Sequence, residues 1–230
     1  MLGGCLRSNP QRRWLRMLLS WVVLLTTGAT GTTGLQVLPP VSWTSASADA
    51  VFKIADAAPT VYISSASTSV RDADGLTLVP PSTLEFARTF ACDLAELFSR
   101  EFTVQVVDAP PSVGVFLTIL PDEAAAREGL EYESGRPTTE GYELDISGRL
   151  VQVRGAGARG VWWGTRTLLQ ALVIGEGAVG AGRTRDAPAV STRGFLLDAG
   201  RKWYSLSVRS PLPLWPVYLR SGLTTALHSS

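Results

Sequence analysis

The four residues Ser82-Thr83-Leu84-Glu85 constrain this chain more than any other stretch. A serine followed three residues later by glutamate, at the head of an apolar-periodic run, is a capping box. The run places Leu84, Ala87, Phe90, Ala91, Leu94, Leu97 and Phe98 on one face at helical spacing. That predicts an amphipathic helix of about four turns, whose apolar stripe must lie against another layer. Strand-like stretches supply the layer. Thr60–Ser64 (TVYIS), Thr103–Val107 and Val113–Leu120 (VGVFLTIL) all read as strands, and the last is apolar enough to be central. Tyr142, Leu144 and Ile146 alternate with Glu143, Asp145 and Ser147 before Gly148 breaks the run and Leu150–Arg154 resumes it. This predicts a hairpin with one face buried and one wet. Val161–Val173 predicts a second helix, with Trp162, Thr165, Leu168, Leu169 and Leu172 inward. The fold class expected is α+β: an antiparallel or mixed sheet with two helices on one face.

The remaining stretches read as connections. Residues 31–50, rich in Thr, Ser and Pro, read as a linker or loose lead-in, and Asp72–Gly75 as a turn before a short apolar run at Leu76–Val79. Residues 121–140 are polar, with a short helix expected near Glu123–Glu128. Gly155–Gly160 reads as a glycine-rich turn and residues 175–188 as a flexible connector. After Pro188 comes a short apolar run, Gly194–Leu197, closed by Asp198 and Arg201. Charged residues at the C-terminal end of a buried strand are where an α/β barrel places its chemistry. The expected organisation is therefore a signal peptide over 1–30, a linker over 31–50, an α+β domain over 51–187, the start of a barrel over 188–205, and a tail over 206–230.

The 230 residues carry a formal net charge of +1. Residues 1–30 hold Arg7, Arg12, Arg13 and Arg16 and no acid, so without them the charge is 1 − 4 = −3. No basic patch for nucleic acid is left. The four arginines precede Met17–Leu25, an apolar core too short for a membrane span, and then Gly28-Ala29-Thr30. This is the pattern of a secretory signal, and it predicts a secreted protein with no membrane contact once the signal is removed. Of the two cysteines, Cys5 would leave with the signal, so Cys92 is expected to be an unpaired, buried small hydrophobe. The sole histidine is His228, so His-based metal sites and Ser-His-Asp triads lack their key residue in the body of the chain.

Three local motifs invite chemistry. Gly155-Ala156-Gly157-Ala158-Arg159-Gly160 matches the dinucleotide fingerprint between a strand and a helix, with Glu176 about 20 residues on. The strand before it alternates in polarity and no βαβ series follows, so a tight turn needing glycine is the favoured reading. Asp122-Glu123 follows Pro121 and reads as a solvated helix start, where acids meet the positive end of the dipole. Trp162-Trp163 could stack on a sugar, but at least one is expected in the core.

Gly141-Tyr142-Glu143-Leu144, then Gly164-Thr165-Arg166-Thr167-Leu168-Leu169-Gln170, then Arg193-Gly194-Phe195-Leu196-Leu197-Asp198-Ala199-Gly200-Arg201, resemble in order and spacing the family 20 glycoside hydrolases, the β-N-acetylhexosaminidases. The resemblance covers roughly residues 55–205. It implies an α+β domain of unassigned role ahead of a (β/α)₈ barrel, with the Arg-Gly strand as the first of that barrel. It further implies that Arg193 binds hydroxyls of a terminal N-acetylhexosamine, as a planar fork of donors can, and that Asp198 and Arg201 form a supporting ion pair. The implied partners are N-acetylhexosamine glycans or chitin oligomers, with no metal or organic cofactor. In that family an adjacent Asp-Glu pair on a later strand does the chemistry: the glutamate is the general acid, and the aspartate orients the substrate's own acetamido nucleophile. Here 29 residues follow Arg201 and none is Asp or Glu. Pro211, Pro213 and Pro216 forbid a regular helix where the family has one. The tail reads as a frameshifted or mis-spliced continuation, and the chain as a fragment without hydrolase activity. The alternatives are a non-catalytic carbohydrate-binding or interaction domain and, from the glycines, a nucleotide-binding domain.

Overall fold

The computed structural model describes residues 35–46, 50–73, 78–123 and 128–194. Two compact units divide the chain, and the fold below is that of residues 30–74 with 79–191. Its strands are β1 (Thr44–Ser45), β2 (Val51–Lys53), β3 (Thr60–Ser64), β4 (Thr103–Val107), β5 (Gly114–Ile119), β6 (Tyr142–Ile146), β7 (Leu150–Gly155), β8 (Ala178–Gly180) and β9 (Gly182–Asp186). Its helices are α1 (Thr83–Phe98) and α2 (Ala158–Ile174). Seven strands form one sheet in the order β1-β9-β6-β7-β5-β3-β4, and β2 pairs with β8. The sheet is mixed. β4, β3, β5 and β7 run parallel, while β6 runs antiparallel to both of its neighbours, β7 and β9. The α+β expectation of a mixed sheet with two helices holds.

The expected period-2 and period-3.6 faces meet in one core. Val61, Val115, Val151 and Ile146 are register partners across four strands, as are Ile63, Leu117, Val153 and Leu144, and all are buried. Phe90, Ala91 and Leu94 of α1 and Leu168, Leu169 and Leu172 of α2 join the same cluster. Ser82 caps α1 as expected. Its hydroxyl accepts from the Glu85 N–H at 3.3 Å, and its own N–H donates to Glu85 Oε2 at 2.7 Å. The cap and the nearby Arg71 hold the Glu85 carboxyl below its usual range. β5 is an interior strand, as its composition required.

Several expectations are corrected. Residues 175–188 are not a flexible connector, since they form β8 and β9. In β9 the inward Gly182 and Thr184 alternate with outward Arg183 and Arg185, a period-2 pattern hidden by its polarity. α2 begins at Ala158, three residues before the expected start, because the glycine-rich run is itself the first turn. The lead-in over 31–50 is not wholly loose. Val37 is buried, Trp43 packs on the core, β1 pairs with β9, and the Gln170 amide bonds both backbone groups of Leu38. Cys92 is half-buried and disulfide-bonded, not unpaired. The signal segment, the helix core at 124–127, Leu76 and Thr77 of the run at 76–79, the barrel strand beyond Gly194 and the tail lie outside the described residues.

Candidate functional site

The wet face expected of the hairpin is not wet at its centre. Glu143 points away from the helices, yet it is only 2% exposed. Its strand lies between β7 and β9, and both neighbours place an arginine directly opposite it: Arg154 on one side and Arg185 on the other. Arg154 Nη2 bonds Glu143 Oε1, Arg183 Nη2 reaches the same oxygen at 2.8 Å, and Arg185 Nε reaches Oε2 at 2.8 Å. Asp145, one row along, lies within 3.4 Å of Arg154 and 3.8 Å of Arg183. Burial alone would raise the Glu143 carboxyl. The three guanidinium groups outweigh it, so the group is held below its usual range. Cross-strand charge pairs stabilise a sheet when opposite and matched. Here one carboxylate ties three strands together.

A second cluster closes the head of α2. The Asp72 carboxylate accepts from the Ala158 N–H at 3.1 Å and the Arg159 N–H at 2.8 Å. Arg159 returns to Asp72 through Nε at 3.4 Å, and bonds Glu140 at 3.3 Å and Thr139 at 3.0 Å. This decides the glycine fingerprint. A helix N-terminus can hold a pyrophosphate, but this one already holds a carboxylate of its own chain, near-buried. The glycines have packing roles. A Cβ on Gly155 would stand 2.3 Å from Val161 N, on Gly157 2.6 Å from Asp72 Oδ1, and on Gly160 2.1 Å from Gly141 O. Glu176 sits in the turn after α2, far along the chain from the helix head. Asp72→Ala is expected to cost about 1–2 kcal/mol as a lost cap, which lowers the melting temperature by about 2–8 °C in a domain of this size. Differential scanning calorimetry checks this, and a calorimetric titration of the unaltered chain with NAD is expected to give no binding heat.

A third cluster joins the two helices. Arg166 Nη1 bonds Asp93 Oδ2 at 2.5 Å, and its guanidinium lies 3.9 Å over the Trp162 ring. Trp162 in turn meets Phe86 at 5.0 Å between centroids. Trp162 is thus a core residue and no free stacking platform. Asp122 and Glu123 are exposed and lie in no described helix.

Two of the three sequence motifs that carried the family resemblance, Gly141–Leu144 and Gly164–Gln170, meet in space. Gly141 O receives the close approach of Gly160. Tyr142 lies against Gly164, whose absent Cβ would be 3.1 Å from its ring, and its hydroxyl is 2.7 Å from Thr167 Oγ1. Of the expected site residues, Arg193 is described and exposed, and belongs to the other compact unit. Asp198 and Arg201 lie outside the described residues. The sequence reading missed the whole Glu143 cluster. The available signal was the alternation Arg183-Thr184-Arg185 set against Glu143.

Neither described cavity resembles a reaction site. The larger, about 530 Å³, is an open cleft bounded by Lys53, Phe98, Arg100, Phe102 and Glu176. Asp186, whose carboxyl burial pushes up against the opposing hydrogen bonds of Tyr142 and the Ala187 N–H, lines neither cavity. Among the described residues no three metal-ligating side chains cluster. No helix among them is long and apolar enough to cross a membrane.

The family profile for glycosyl hydrolase family 20, domain 2, matches residues 63–187, more than half of the chain. No curated protein matches it. Among solved structures, it is similar to a Streptomyces plicatus N-acetyl-β-hexosaminidase in complex with Thio-NAglucal, at 20% identity and a TM-score of 0.40 over 70% of this chain and 28% of that one. It is also similar to a GH20 β-N-acetylhexosaminidase from Streptomyces coelicolor A3(2), at 19% identity and a TM-score of 0.39 over 66% of this chain and 26% of that one. The chain thus spans about a quarter of the length of each.

Proposed function

The chain belongs to glycosyl hydrolase family 20 through that family's domain 2, and on that premise we propose that residues 35–191 are the non-catalytic α+β domain of a β-N-acetylhexosaminidase. The observation that carries this is the state of the buried acids. Glu143, Asp72 and Glu140 are each bound to guanidinium groups. A glycosidase's general acid needs a carboxyl raised towards neutrality, beside a space for the sugar. Glu143 is held the other way and lines neither described cavity. These charges fasten strands and helix ends.

On this reading the hydrolysis of terminal β-linked N-acetylhexosamine, by the substrate-assisted retaining route of the family, belongs to a barrel beyond this domain. Arg193 would grip the sugar hydroxyls there with its planar donor fork, and Asp198 and Arg201 would hold the strand end. N-acetylhexosamine glycans or chitin oligomers would be the substrates. The reaction would use no metal or organic cofactor, and the protein would be secreted.

A chimera tests the proposal. Residues 35–191 would replace the corresponding domain of an active family 20 hexosaminidase. Soluble chimera with hydrolysis of a chromogenic N-acetyl-β-glucosaminide is the expected result. A chimera whose barrel folds but which stays inactive would count against the role. Saturable chitobiose binding by the 230-residue chain itself, without cleavage, would favour a free-standing binding module.

A further inference from the structure

Among the described residues β4 is the outermost strand on its side of the sheet, paired only with β3. The Thr103 N–H donates to Pro59 O at 3.0 Å, so Thr103, Gln105 and Val107 turn their backbone groups towards β3. Val104 and Val106 therefore turn theirs away from the sheet. The strand reads TVQVV. It has no charge, no proline and no bulge, the usual devices that keep an edge from pairing. Thr103, Gln105 and Val106 are exposed, Val106 by 48%. The opposite edge differs, since β1 is only two residues long.

We propose that β4 pairs antiparallel with β4 of a second copy of this chain, giving a two-fold dimer with one continuous sheet. Charge complementarity selects the register. With the axis at Val104, Arg100 of each copy faces Asp108 of the other, Phe102 faces Val106, and Val104 faces itself. Val104 and Val106 share a strand parity within β4; carried past the strand ends to residues 100, 102 and 108, that alternation puts apolar pairs in the middle and ion pairs at both ends, where Asp108 Oδ1 also accepts from Ser65 Oγ. Val104 exchanges both backbone bonds with its copy as a narrow antiparallel pair. Arg100 spends only Nη1 on the carbonyls of Ile54 and Ala55, leaving other donors of its fork for a carboxylate. Moving the axis to Gln105 would set Phe102 against Asp108 and Arg100 against Pro110, which loses both matches. The interface is isologous, as closed dimers require.

Sedimentation equilibrium across a dilution series of the full chain tests this, read alongside hydrogen exchange. Twice the monomer mass is expected at high concentration, with the Val104 and Val106 amides protected there and exchanging freely on dilution. Val106→Lys and Asp108→Arg, both at exposed positions, are each expected to weaken the dimer about tenfold or more. A monomer throughout, with both amides unprotected at every concentration, would overturn the proposal. So would a dimer that neither substitution weakens. Should a variant fail to fold, concentration-dependent protection of the two wild-type amides decides alone.

Discussion

Gly160→Ala is expected to cost about 4 kcal/mol or more and to leave the chain largely unfolded at modest denaturant. In an open helix the same change would gain about 1 kcal/mol, because alanine loses less backbone freedom. Here the new Cβ would lie 2.1 Å from the carbonyl oxygen of Gly141 and 3.0 Å from that of Thr139. Both are backbone atoms, and both carbonyls are engaged, Thr139 O by the Gly160 N–H at 2.9 Å and Gly141 O by the Ala156 N–H at 2.8 Å. Nothing there can rotate out of the way. α2 would have to lift off β6, and Tyr142, Val153 and Val161 would lose their packing. Gly148→Ala is the control. A Cβ there would come no nearer than 3.9 Å to its neighbours, so a change within about 0.5 kcal/mol is expected. Guanidinium denaturation of the two variants checks both. A stable Gly160→Ala protein would mean that this glycine serves something other than packing.

Glu143→Gln is expected to cost about 3 kcal/mol at neutral pH, because it strips the shared anion from guanidinium groups held together over the sheet. Arg183 is more than half exposed and can relax into water, which keeps the figure at the low end of that class. The loss should depend on pH in a defined sense. The folded-state carboxyl of Glu143 lies below its usual value, so its contribution is fully present above the unfolded value of about 4.3. It fades as pH falls through the lower, folded value. The gap in stability between wild type and Glu143→Gln should therefore close on going from pH 7 towards pH 3. Urea titrations at several pH values check this. A gap independent of pH would show that Glu143 is not stabilised as the anion.

The parts of this fold that were legible in the sequence are those where one local rule dominates. The Ser82–Glu85 box fixed the start of α1, and the unbroken apolar run of β5 marked an interior strand. The illegible parts depend on partners distant in sequence. β9 is polar, and its arginines make sense only once Glu143 lies opposite them, some forty residues earlier. The cap of α2 comes from Asp72, more than eighty residues before the helix it closes, so the glycine run looked like a ligand loop when it was a packed turn. Gly141-Tyr142 and Gly164-Thr165 were legible as family signatures, but their reason is a contact between a strand and a helix.

The most direct test of the scaffold reading is the rate at which the purified 230-residue chain hydrolyses a chromogenic N-acetyl-β-glucosaminide. A rate indistinguishable from buffer, unchanged by Glu143→Gln or Arg193→Ala, is expected. Turnover above buffer that either substitution abolishes in a folded protein would contradict it.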